Sequence, residues 1–299
     1  MARSPLHPRE LFGLFKDAFN AWLDDYAPSM GAALSYYTLF SIAPLLLIVI
    51  GVAGLVFGEQ AARGEIMGQL ADLVGTEGAR TIEDMLTTVH TEDRSLWATG
   101  LSIVALVVGA TTVFGELQNA LNRIWRGTQI KPQGLAGVWR LVRTRLLSLG
   151  IILCLGFLSM VSLVFNAVLS ALSGWWTPFL GGDAALLAQA ADFTVSFGLS
   201  TVMFAMLFKW VPYNKVQWRE VWIGAVITSM LFTLGKAAIG YYIGKSNVAS
   251  AFGAAASLVV VMVWVYYSAQ IFLLGAEITW AYAQRYRPQA GAAATPPSR

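Results

Sequence analysis

Chemistry in this chain has to come from a few polar side chains set inside long apolar runs. Lys236 is the clearest, with TSMLFTLG before it and AAIGYYIG after it. An ammonium at such depth is costly and faces the protein interior or a wet cavity, unless its stem snorkels to the headgroups. Eight residues separate Lys236 from Gly244 at the end of the run, ~12 Å of helix, which a lysine stem can bridge. The sharper alternative pairs it with Asp192, in another apolar run, or with an anionic group of a substrate. A second group comprises Tyr36 and Tyr37 with Ser35, Thr38 and Ser41, then Glu116, Gln118, Asn119, Asn122 and Arg123, then Gln270 and Glu277. Glu116 and Asn119 are three apart, and Asn122 and Arg123 continue that helical face. Three separate runs thus bring polar groups to a similar depth. They could line a cavity for a headgroup or an ion; hydrogen bonds between helices and ordinary interfacial Tyr and Arg would explain them equally. Either way a Glu–Arg pair is expected, Glu116 or Glu277 with Arg123.

Signatures of soluble catalysis are missing from the sequence. The two histidines, His7 and His90, fall in segments expected on opposite sides of the membrane, and no Cys/His/carboxylate cluster has metal-ligand spacing. No phosphate-binding GxxxxGK[ST] loop or GxSxG elbow occurs. The single cysteine, Cys154, lies in an apolar run and excludes an intramolecular disulfide. The expectation is therefore no enzyme, no cofactor, no metal and no ATPase module.

The elements that must position these groups are read from composition. The chain has 299 residues, 57% hydrophobic and 12% charged, where soluble domains carry roughly 25% charged. So little charge cannot cover a water-soluble domain of this size, and the apolar residues run long enough to cross a bilayer. The fold class expected is an all-α integral membrane protein with six transmembrane helices. The spans fall at about 31–58, 96–115, 146–175, 186–208, 221–244 and 254–282, within a transmembrane domain of residues 31–285. Pro44 should bend the first span. Residues 1–30 hold an amphipathic helix, with Phe12, Phe15, Phe19, Trp22, Leu23 and Tyr26 at helical spacing, expected to lie in the membrane interface. Its N-terminus, MARSPLHPRELF, lacks the apolar core of a signal peptide. Residues 59–95 carry two helical stripes, Ile66–Leu70–Leu73–Val74 and Ile82–Met85–Leu86–Val89, divided around Gly75–Gly78. Two short helices forming a small extracytoplasmic cap are expected there. Residues 286–299 read as a disordered tail.

Basic residues orient the bundle. Fifteen of the 20 Lys and Arg fall in the N-terminus, the second and fourth loops and the tail, four in the other loops, and Lys236 is the last. Cytoplasmic loops are enriched in Lys and Arg, so both termini are expected inside. The same distribution makes nucleic acid binding a poor reading of a net charge of +3.

Four motifs, AALSYYTLFSIAPLLL (32–47), GELQNALNRIW (115–125), WVPYNKVQW (210–218) and FGAAASLVVVMVWVYYSAQIFLLGAEI (252–278), fall in order over roughly residues 10–285. Through them the chain resembles the YihY/BrkB family of bacterial inner-membrane proteins. The resemblance implies an inner-membrane location, six helices and no agreed catalytic residues. Family members once carried the label of a tRNA-processing ribonuclease, for which this sequence offers no metal site. Some members are associated with serum resistance or with export of lipid A precursors and other envelope lipids, which makes lipid movement the leading functional expectation. Its partners would be membrane lipids and, through residues 59–95, a periplasmic lipid-transfer protein. The alternatives are an ion or solute transporter working through Glu277, Glu116 and Asp192, and a membrane scaffold. A homo-oligomer is compatible with the sequence.

Overall fold

The structure, a computed structural model, describes residues 8–89, 112–126, 150, 183–214, 216–245 and 256–286. The expected third span with Cys154, most of the second, the basic loop 127–145, His90 and the tail lie outside the described residues, residue 150 excepted. All regular structure among the described residues is helical. The elements are α1 (Pro8–Asp24), α2 (Ala27–Phe57), α3 (Glu59–Val89), α4 (112–124), α5 (Asp183–Trp210), α6 (Trp218–Lys245) and α7 (Ala256–Tyr286).

Two of these, over Phe193–Trp210 and Leu258–Tyr286, are long and apolar enough to cross a membrane. Helix α2 is a third if Ala27–Ala43 and Leu45–Leu55 form one span bent by 45°. The bend falls at Pro44, where the ring removes a backbone donor and crowds the preceding turn. Helix α2 starts at Ala27, four residues earlier than apolarity suggests, because Pro28 sits in its first turn and Tyr26 breaks the chain with a left-handed backbone.

Helix α7 is the hub, packing against α1, α2, α3 and α6, while α5 packs on α6. It runs antiparallel to α2. Ser35 donates to the Met262 carbonyl at 2.7 Å, and the Gln270 amide reaches the carbonyls of Ala27 and Pro28 at 3.5 and 3.4 Å. Gly31 leaves the room that Gln270 fills. Against α6 the contact is closer still. Gly224 faces Thr279 and Gly275 faces Thr228, while each threonine hydroxyl bonds back to a carbonyl of its own helix. Small residues let helix backbones approach where lipid offers no hydrophobic drive to association. Phe204 and Phe208 of α5 complete an aromatic core with Phe232 and Phe272.

Helix α1 buries Leu14 and Ala18 against Ile278 and Ala281 of α7 and ties its outer surface to Arg285 through Asp17 and the Glu10 carbonyl. Phe12, Phe15, Phe19 and Leu23 stay exposed, Phe12 at 74%.

Helix α3 is one uninterrupted helical run where two helices were expected, yet it does not run straight. Arg63 and Glu83 approach to 3.4 Å, although twenty residues of straight helix span ~30 Å. Ile66, Met67 and Leu70 from its first half and Ile82 and Leu86 from its second join one cluster with Ala43, Leu46 and Ile50 of α2 and Val261 of α7. The two halves therefore fold back on each other, with Gly75 and Gly78 inside the turn-around stretch.

Candidate functional site

Helix α4 presents two faces. Leu121, Ile124 and Trp125 are buried in the main core with Phe204, Phe208 and Val211. Glu116, Asn119, Ala120, Asn122 and Arg123, followed by Arg126, line a cavity of about 700 Å³ whose opposite wall is Ser29, Met30 and Ala33 of α2. That volume lies within the range of small-molecule sites, roughly 300–1,000 Å³. The rim residues Ser29, Asn119, Arg123 and Arg126 are exposed.

The helix is held in place by the segment joining α5 to α6. Gln118 donates to the Val211 carbonyl at 3.1 Å, the Asn122 carboxamide oxygen accepts the Tyr213 N–H at 2.8 Å, and Asn214 donates to the Trp125 carbonyl at 2.6 Å. The joining segment is itself tight: Lys209 donates to the Val216 carbonyl and lies over Trp218, and Glu220 accepts the Gln217 N–H at 3.0 Å. Two sequence motifs nearly ninety residues apart, ELQNALNRIW and WVPYNKVQW, thus form one unit.

Charge at the site is arranged around Asp25 and Arg126. The Asp25 carboxylate is buried and meets the exposed guanidinium of Arg126 at 3.2 Å. Arg126 also lies over the Trp280 ring at 5.4 Å, and Arg123 over Tyr26 at 5.5 Å, both cation–π contacts. Glu277 of α7 is fully buried, and neither of its carboxyl oxygens has a hydrogen-bond partner. Tyr26 (φ 58°) and Arg126 (φ 50°) are the only non-glycine residues with left-handed backbone among the described residues. A bulky side chain there costs ~1–2 kcal/mol, and such outliers gather at functional sites.

The expected residues divide three ways. Glu116, Asn119, Asn122 and Arg123 come together on the cavity wall as their spacing predicts. Gln118 and Gln270 are structural ties, and Tyr36 and Tyr37 lie a turn beyond Ala33, packed on each other, with Tyr36 also against Phe40. Lys236 is exposed on α6 with its ammonium 5.9 Å from the Phe232 ring centroid, and Asp192 lies on α5. The ion pair is Asp25–Arg126 in place of a Glu with Arg123, because Arg126 follows the last turn of α4 and swings toward the α1–α2 break. Sequence reasoning passed over Asp25 and Arg126. The available signal was DDYAPS, where a proline two residues past Tyr26 marks a helix start with a carboxylate beside it. Among the described residues no cluster of three metal-ligating side chains exists.

A helical membrane protein with a polar, arginine-lined cavity between α2 and α4 is the class that fold and site define. The chain belongs to the family described as virulence factor BrkB, whose model matches residues 18–298. It is similar to a UPF0761 membrane protein of Ralstonia nicotianae, 29% identical over 85% of this chain and 55% of the relative. A UPF0761 membrane protein of Alcanivorax borkumensis is 30% identical over 91% and 60%, and one of Pseudoalteromonas translucida 26% identical over 91% and 86%. The chain spans less than two thirds of the length of several of these relatives, 55% and 60% in the first two cases. No solved structure matches it.

Proposed function

We propose that this protein binds the anionic headgroup of an envelope lipid in the cavity between α2 and α4 and moves or hands on that lipid at the bacterial inner membrane. The observation that carries the reading is the continuity of two surfaces. Ser29, Met30 and Ala33 form the cavity wall, and the same face of α2 continues through exposed Tyr36 and Phe40. A headgroup facing Arg123 and Arg126 would lay its acyl chains along those aromatics. Guanidinium groups favour phosphate through paired, charge-assisted bonds, and no ATPase module or catalytic step is assigned.

The wider arrangement belongs to the same proposal. Six spans place both termini in the cytoplasm, the exposed aromatic face of α1 rests in the membrane interface, and the folded-back α3 lies on the extracytoplasmic side, where a periplasmic lipid-transfer protein could dock. Lys236, exposed at membrane depth, would meet headgroups of the outer leaflet. A second reading, an ion or solute transporter, is favoured by Glu277, since a buried carboxyl without partners is costly unless it has a use.

The test is lipid capture. Purified in a neutral detergent, the protein should retain phosphatidylglycerol in native mass spectrometry in preference to phosphatidylcholine. Arg123→Ala with Arg126→Ala should lower that retention at least tenfold, since a charge-assisted bond contributes about 1.5–3 kcal/mol. Equal retention of both lipids, or no effect of the double substitution, would sink the lipid reading.

A further inference from the structure

The charges around the cavity between α2 and α4 do not cancel one another in place. Arg126 commits its guanidinium to the buried Asp25 carboxylate at 3.2 Å. Glu116 and Arg123 are the remaining charged groups of the lining, and among the described residues neither takes part in an ion pair. Arg123 lies over the Tyr26 ring at 5.5 Å, a contact that leaves its N–H donors open. The two stand seven residues apart on α4, two turns and ~10 Å along the axis, which puts them on one face but out of each other's reach. The wall thus runs from a carboxylate at one end to a guanidinium at the other. Asn119 lies between them and is exposed. A purely anionic guest meets Arg123 but is repelled at the Glu116 end, and a purely cationic guest meets the converse. Only a guest that carries both charges matches both ends.

We propose that this cavity takes a zwitterionic phosphate ester, a phosphate joined by a short linker to a primary ammonium, with the phosphate at Arg123 and the ammonium at Glu116. The inference rests on the headgroup reading above and narrows it to amine-bearing headgroups of the phosphoethanolamine type. Arg123 offers the phosphate a fork of N–H donors, and Arg126, 56% exposed along its side chain, can add another from its cavity side. A primary ammonium carries three N–H donors, enough for the Glu116 carboxylate and the Asn119 side-chain carbonyl together. A quaternary ammonium keeps the charge but has no donor. A glycerol headgroup keeps donors but has no positive charge. Each of these loses part of the match at the Glu116 end while keeping the phosphate at Arg123.

The full chain in a neutral detergent is offered phosphatidylethanolamine, its N-acetylated form, phosphatidylglycerol and phosphatidylcholine of the same acyl chains, and retention is read by native mass spectrometry. Phosphatidylethanolamine should be retained most, about tenfold over its N-acetyl form, because acetylation removes a charge-assisted bond. Acetylation also turns the headgroup into a net anion, so a site reading negative charge alone would hold it at least as well. That outcome, or phosphatidylglycerol held as well as phosphatidylethanolamine, overturns the inference and leaves the lipid reading standing. Glu116→Gln should lower the ratio of phosphatidylethanolamine to phosphatidylglycerol about tenfold, whereas Arg123→Ala lowers both and keeps the ratio. An unchanged ratio in Glu116→Gln also overturns the inference. The acetylation comparison, made on the unsubstituted chain, decides the matter if that variant does not fold. Free phosphoethanolamine and inorganic phosphate are titrated in parallel by calorimetry. Phosphoethanolamine bound more tightly than phosphate, with no lipid retained, keeps the zwitterion site and removes the lipid reading; failure of every probe removes both.

Discussion

The Tyr213 N–H donates to the carboxamide oxygen of buried Asn122, 2.8 Å away. Asn122→Ala removes that acceptor and should lower stability by about 0.5–1.5 kcal/mol, read as a lower midpoint in thermal unfolding followed by tryptophan fluorescence. Asn122→Asp keeps the acceptor and should restore most of the loss; equal damage from both would show that the bond does not hold α4 in place. Tyr26 behaves in the opposite sense. Its left-handed backbone suits glycine, so Tyr26→Gly relieves roughly 1 kcal/mol of strain while removing the ring beneath Arg123. The expected result is an unfolding midpoint unchanged or raised together with weaker phosphatidylglycerol retention, the pattern of strain kept for function. Retention undiminished would separate Tyr26 from the site.

Between elements, the α6–α7 seam is the tightest contact. A Cβ at Gly224 would overlap the Thr279 side chain, and one at Gly275 would overlap that of Thr228. Both neighbours are fully buried threonines with hydroxyls committed to their own helices, so neither can swing away. Gly224→Ala and Gly275→Ala should each destabilise by about 1–3 kcal/mol through overpacking. Gly51 and Gly64, with open space at the Cβ position, should tolerate alanine. Parallel unfolding curves of the four variants check this, and an equal tolerance at all four positions would contradict the seam. Helix α7 pairs through this seam on one side and through Gln270 and Ser35 with α2 on another, which is why one helix sets the position of the cavity wall and of Glu277 together.

At the scale of the molecule the expectation to be checked is threading. Six spans with both ends inside place residue 87 outside and residue 133 inside. An alkaline phosphatase fusion after Thr87 should be active and one after Gln133 inactive. The reverse pattern would invert the bundle, move the arginine-lined cavity to the periplasmic side and remove the cytoplasmic source of lipid. Deleting residues 59–89 should spare membrane insertion, because the folded-back α3 packs on α2 and α7 by way of side chains.

Membrane residence, the helical class and the bend at Pro44 were legible from the chain alone, because each depends on local quantities: apolar run length, charge density, a missing backbone donor. So was the cavity face of α4, since Glu116, Asn119 and Arg123 share a helix and their spacing decides what they face. Glu277 stood out as an expensive residue. Asp25 and Arg126 are a hundred residues apart and become partners only because Tyr26 and Arg126 each turn the backbone left-handed at a helix end, bringing two termini together against α7. Periodicity carries no information about such turns, and an arginine between two carboxylates chooses by distance. Sequence therefore determined which polar groups interrupt the apolar runs, and tertiary structure decided which of them share a guanidinium or a cavity, because those interactions fall off within a few ångströms.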